Sequence, residues 1–127
     1  MCNIQMKRIY EAASPTDGFR VLVDRLWPRG VSKEGAHIDL WAKDITPTTG
    51  LREAYHTGRV DWKTFEGLYR AELLGNPALD TFIAAVKDKE TLTLLFAGKD
   101  TEHTHVKVIL AVLVQKLAVD KEPEKTV

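Results

Sequence analysis

Two short apolar runs constrain this chain most: "FRVLVDRLW" at 19–27 and "TLTLLFAG" at 91–98, with helical patterns filling most of the sequence between them. Val21, Leu22 and Val23 are apolar on consecutive positions, as expected when both faces of a strand are covered, and that places the first run centrally in a sheet. Ala97 and Gly98 end the second run with small residues that let backbone or a ligand approach. Several helices between two buried strands allow them to lie parallel, which predicts a single small α/β domain, its short mixed or parallel sheet covered by helices.

The remaining elements follow from punctuation and period. "MKRIYEA" at 6–12 is a weaker strand candidate, and the Ser-Pro and Asp-Gly steps of "ASPTDG" mark a turn. Only about six residues then separate the first two strands, which fits a hairpin better than a parallel crossover of about a dozen or more. "PRGVSKEGAH" reads as loop, and "IDLWAKDI" at 38–45 can dock on a core as strand or helix. A short helix is expected near 48–56. Asp61 caps a longer one to about Leu74, with Trp62, Phe65, Leu68 or Tyr69, and Leu73 on its inner face. Asn76 and Pro77 open the next, lined by Leu79, Phe82, Ile83 and Val86. Asp100 or Thr101 is expected to cap a last helix with a stripe of Val106, Leu110, Leu113 and Leu117. The domain is read as 1–119, with the charged, proline-bearing segment 120–127 as a disordered tail.

Charge and cysteine content exclude several classes. The 18 Lys and Arg balance the 18 Asp and Glu, so no global field draws the chain to nucleic acid or to a membrane. The sole cysteine, Cys2, has no partner for an internal disulfide, which points to a reducing, cytoplasmic setting. The longest apolar run, "VILAVLV", is far short of the roughly 20 residues of a membrane span. That same apolar helix suggests extra burial, for which a homo-oligomer is one expectation.

If the two main strands are parallel, "DRLWPRG" and "GKDTEHTH" leave the same edge of the sheet, where α/β proteins bind ligands. Arg25 and Arg29 then offer planar forks for phosphate or carboxylate, and Lys99 adds a point charge. His103, oriented by Asp100, is the candidate acid or base, with His105 as a supporting or substrate contact. Helical projection leans His103 towards the sheet and turns His105 further round. Trp27 is a candidate substrate contact, although Trp27 and Trp41 fit better as core or loop anchors. His37 and His56 read as surface histidines. The plain alternative is structural: Asp100 caps a helix, His103 bonds a carbonyl and Arg25 pairs with a carboxylate. "HTH" supplies only two nitrogens towards a metal, short of the three or four protein ligands of a zinc site, so no metal ligand is assigned. Nothing in the sequence names a cofactor.

On "VLVDRLWPRG" at 21–30, "LYRAEL" at 68–73 and "TLLFAGKDTEHTH" at 93–105, the chain resembles the YeaO-like proteins, part of domain of unknown function family 488. The match covers nearly the whole chain up to Leu117. The resemblance implies a shared site at Asp24, Arg25, Trp27, Pro28, Arg29, Gly30, Lys99, Asp100, His103 and His105, without implying a particular reaction. Thr104 departs from the family pattern, where Asn is usual, and Val106 stands where a small residue is usual. A more distant branch carries a Cys-His motif where this chain has "HTH". Three functional classes follow: a small enzyme or binding protein holding an anionic small molecule, an interaction module using the last helix, and a metal-binding protein.

Overall fold

The computed structural model describes residues 3–126, with side chains in the last helix described as far as Leu117. Four strands, β1 (Asn3–Arg8), β2 (Phe19–Leu22), β3 (Leu40–Trp41) and β4 (Thr91–Phe96), form one sheet in the order β1-β4-β2-β3. Every pairing in it is parallel. The two main runs therefore lie parallel, as expected, and the structure makes them direct neighbours. The first strand lies earlier than 6–12, and the chain leaves β2 at Leu22, although the Val23 N–H still bonds the Leu95 carbonyl at 3.0 Å.

The expected hairpin between the first two strands does not form. β1 and β2 flank β4 on opposite sides, and residues 9–18 carry the chain back across one face of the sheet. Polar groups on that face explain how so short a crossover holds with only a 3-10 turn at Pro15–Asp17 and no α-helix. Asp17, only 3% exposed, binds Lys7 of β1 at 3.1 Å and Arg20 of β2 at 2.5 Å. Thr93 of β4 donates to the Asp17 carbonyl at 2.6 Å, and Gln5 donates to the Thr16 carbonyl at 3.1 Å. Gly18 turns the chain into β2 at φ 64°, and a Cβ there would lie 2.4 Å from the Thr91 oxygen, so both conformation and space demand glycine.

On the opposite face, Val21, Val23, Leu92, Leu94 and Phe96 meet the helices α3 (Trp62–Leu74), α4 (Pro77–Val86) and α5 (His105–Thr126). Asp61 and Asn76 cap α3 and α4 as read from the sequence, and Tyr69 rather than Leu68 takes the inward position. Val106, Val108, Ile109, Val112, Leu113 and Leu117 of α5 are all buried within the chain, which accounts for most of its apolar excess; Val114 stays 47% exposed. The disordered tail expected at 120–127 concerns side chains outside those described. A smaller cluster under the first face joins Ile9, Leu22, Ala36 and Leu95 with Trp27 and Trp41. The segment read as loop after Gly30 holds a one-turn helix, α1 (Lys33–Ala36), and 38–45 divides into β3 and a 3-10 turn at Lys43–Ile45. Among the described residues no helix is long and apolar enough to cross a membrane.

Candidate functional site

Because every strand is parallel, all four carboxyl ends face one edge, and a cavity of about 640 Å³ opens there. Its walls come from Tyr10 after β1, from 24–29 after β2, from Thr46 and Pro47 after β3, and from 96–105 after β4. The remaining wall belongs to α2 (Thr49–His56) and to the start of α3. Arg25, Trp27, Arg29, Lys99, Asp100, His103 and His105, the residues singled out in the sequence, all line it.

The loops that form the floor are held by specific bonds. Trp41 Nε1 donates to the Asp24 carbonyl at 2.7 Å, and Trp27 Nε1 donates to Val31 O at 2.7 Å, the two indoles meeting edge to face at 5.4 Å. Both tryptophans therefore anchor the 23–31 loop. Asp24 Oδ2 accepts from the Ala97 N–H at 2.8 Å, while Arg8 at the end of β1 donates to the Ala97 and Gly98 carbonyls at 2.8 and 2.9 Å. The two strand exits are thus joined across β2 and β4.

His105, not His103, is the histidine that leans on the sheet. Its Nε2 lies 2.6 Å from the Val23 carbonyl and 3.4 Å from Asp24 Oδ1. A carbonyl only accepts, so Nε2 carries the hydrogen. Burial pushes His105 below the usual imidazole range, against the opposing pull of the Val23 carbonyl and the Asp24 carboxylate. Burial likewise pushes Asp24 up, against His105 and the Ala97 N–H. Helix α5 starts at His105, later than expected, and the Thr104 hydroxyl accepts from the Val106 N–H at 3.4 Å. Asp100 instead closes a turn before the helix, accepting from the backbone N–H groups of Glu102 and His103 at 2.9 and 3.0 Å. Those bonds hold its carboxyl below the usual range. His103 is more than half exposed, 3.7 Å from Asp100 and packed 5.3 Å from the Trp62 ring.

The α2 wall contributes residues that sequence reasoning left aside. Thr48 caps α2 and is itself gripped by Glu72, its N–H at 3.1 Å and its hydroxyl at 2.6 Å. Tyr69 donates to the Ile45 carbonyl at 2.5 Å and Asn76 to the Asp44 carbonyl at 2.9 Å, so α3 and the turn that follows it hold the approach to α2. From this fixed base Arg52, Tyr55 and His56, spaced i, i+3 and i+4 on one helix face, reach the cavity. Arg52 Nε is buried with no protein acceptor. Arg25 donates to the Pro47 carbonyl at 3.3 Å, and among the described residues the side chains of Arg29 and Lys99 have no hydrogen-bond or ion-pair partner. The spacing of Arg52, Tyr55 and His56 on a predicted short helix was the available signal. Beside them Tyr55, Trp62 and Phe65 form an aromatic wall, with centroids 4.9 to 5.7 Å apart.

Among the described residues no three His, Cys, Asp or Glu side chains gather as a metal-binding group. Cys2 lies outside the described residues.

Residues 3–127 match the family model described as "Inactive DUF488-N3 subclade". The chain belongs to the DUF488 family. It is 46% identical over 107 residues to the uncharacterised protein YeaO of Escherichia coli, covering 84% of this chain and 93% of that protein. It is 33% identical over 110 residues to the uncharacterised protein Rv3073c of Mycobacterium tuberculosis, covering 87% and 92%. No solved structure matches. In this DUF488 chain the segment from Asp24 to Arg29 and the residues Lys99, Asp100, His103 and His105 border one cavity.

Proposed function

We propose that this chain is a binding protein, without turnover, for an anionic small molecule held at the carboxyl edge of its sheet. The observation that carries the reading is Arg52, whose buried Nε lacks a protein acceptor on the wall of a cavity that also presents Arg25, Arg29 and Lys99. An unsatisfied buried donor costs about 1–3 kcal/mol, more when charged, and a phosphate or carboxylate oxygen removes that cost once Arg52 turns its guanidinium into the cavity. Four cations line the cavity against two carboxylates, Asp24 and Asp100, each already accepting backbone N–H bonds. The excess is positive although the whole chain is neutral.

Two features favour binding over catalysis. His105 spends its Nε2 hydrogen on a backbone carbonyl, and His103 stands in solvent with Asp100 beyond hydrogen-bond distance. Among the described residues the cavity lining contains no cysteine, and its Thr104 hydroxyl accepts the Val106 N–H at the start of α5. The matching subclade is also described as inactive.

The test is a thermal-shift series with inorganic phosphate, pyrophosphate and citrate on the wild type and Arg29→Ala. Arg29 is exposed and, among the described residues, bonds the rest of the chain only through its backbone carbonyl, which accepts from Tyr10, so its substitution spares the fold. At least one anion raises the wild-type melting temperature, and Arg29→Ala loses most of that shift. Equal shifts in both proteins, or none in either, would contradict the proposal.

A further inference from the structure

We infer that the ligand of this cavity is a phosphate monoester attached to a planar aromatic ring, the chemistry of a nucleoside monophosphate. The inference rests on the anion-binding proposal above and adds the ring. Arg52 and Tyr55 are one turn apart on α2, so the anion site and the aromatic wall lie about 5–6 Å apart at the Cβ atoms. Tyr55 continues into Trp62 at 5.7 Å, and both line the cavity, half-buried. Half-buried aromatic faces beside a cation cluster are the arrangement on which bases stack while phosphate is held. Three arginines and a lysine exceed what one carboxylate requires and suit a dianion. The volume, about 640 Å³, lies within the range of pockets that enclose ligands of this size.

His103 completes the ring subsite. It is exposed, sits on the loop before α5 and packs against Trp62 at 5.3 Å with the rings tilted by 33°. Rings 5.3 Å apart leave no room for a third between them, so a base that stacks on Trp62 displaces the exposed imidazole, which then caps its outer face without disturbing the core. The His103 imidazole acts here as a contact surface, which does not require a proton-transfer partner.

Calorimetric titration of the full chain with AMP, ribose 5-phosphate and adenosine separates the parts. AMP is expected to bind about tenfold or more tighter than ribose 5-phosphate, the scale of one base–aromatic stack. Trp62→Leu should erase that advantage while leaving ribose 5-phosphate unchanged. Equal wild-type affinity for AMP and ribose 5-phosphate would overturn the ring inference and leave the anion reading standing. Binding of neither phosphate would overturn both. If Trp62→Leu loses its native melting transition, the wild-type ratio decides alone, and His103→Ala, at an exposed position, should reduce that ratio.

Discussion

Asp24 and His105 meet where β2 and β4 leave the sheet, His105 Nε2 lying 3.4 Å from Asp24 Oδ1 and 2.6 Å from the carbonyl of Val23. One donor on α5 thereby ties the last helix to the exit of a strand 82 residues earlier in the chain. The contact organises the cavity floor rather than supplying a free acid or base.

His105→Ala should destabilise the fold by about 1–3 kcal/mol, because the Val23 carbonyl loses its donor in a buried place. The pH dependence has a definite sign. His105 is held below its unfolded value of 6.5, so its contribution is complete above that value and is lost as pH falls towards the folded value. Asp24, held above 3.8, contributes in the opposite sense, losing stability as pH rises from 3.8 through its folded value. Urea unfolding at several pH values should show a decline below pH 6.5 that is smaller in His105→Ala. An unchanged slope would show that His105 is not held neutral.

Asp17→Asn should cost about 3–5 kcal/mol, since it leaves Arg20 and Lys7 without their carboxylate. Although burial alone would raise it, the Ser14 N–H, Lys7 and Arg20 hold Asp17 below 3.8. Its share of stability is therefore present above that value and is lost as pH falls through the folded value. Denaturant midpoints of wild type and Asp17→Asn at pH 7 and pH 3 should differ most at pH 7. A constant gap would contradict the ion network.

Gly18→Ala should lower stability by about 1–3 kcal/mol through backbone strain alone. The added Cβ would also collide with the Thr91 backbone oxygen at 2.4 Å. Gly30, also at positive φ but with open space around it, is the control and should cost less in the same thermal melt. Equal losses would mean that the close approach to β4 contributes nothing.

Much of the fold was legible because its signals are local. The buried runs of β2 and β4, the Asp61 and Asn76 caps, and the inward stripes of α3 and α4 each sit within one element. The crossover was not, because its logic is distributed over Gln5, Lys7, Asp17, Arg20 and Thr93, polar residues that reveal themselves only when three strands align. The histidines were exchanged for a related reason. Each residue advances a helix by about 100°, but His103 lies before α5 begins at His105, so the projection that turns it inward does not apply to it. Arg52 is not legible in the sequence, because an arginine on a short amphipathic helix reads as solvated until Glu72, Asn76 and Tyr69 hold that segment against the cavity.

Arg52→Met gives the most direct measurement, read in two ways on one protein. Methionine keeps the apolar length of the side chain and removes the buried donor, so the ligand-free melting temperature should stay level or rise while the phosphate-induced shift falls severalfold. A binding residue carries such a cost in the free protein. If instead the free protein melts lower and phosphate shifts it as in the wild type, Arg52 is a structural residue and does not hold the anion, which contradicts the observation that carries the account.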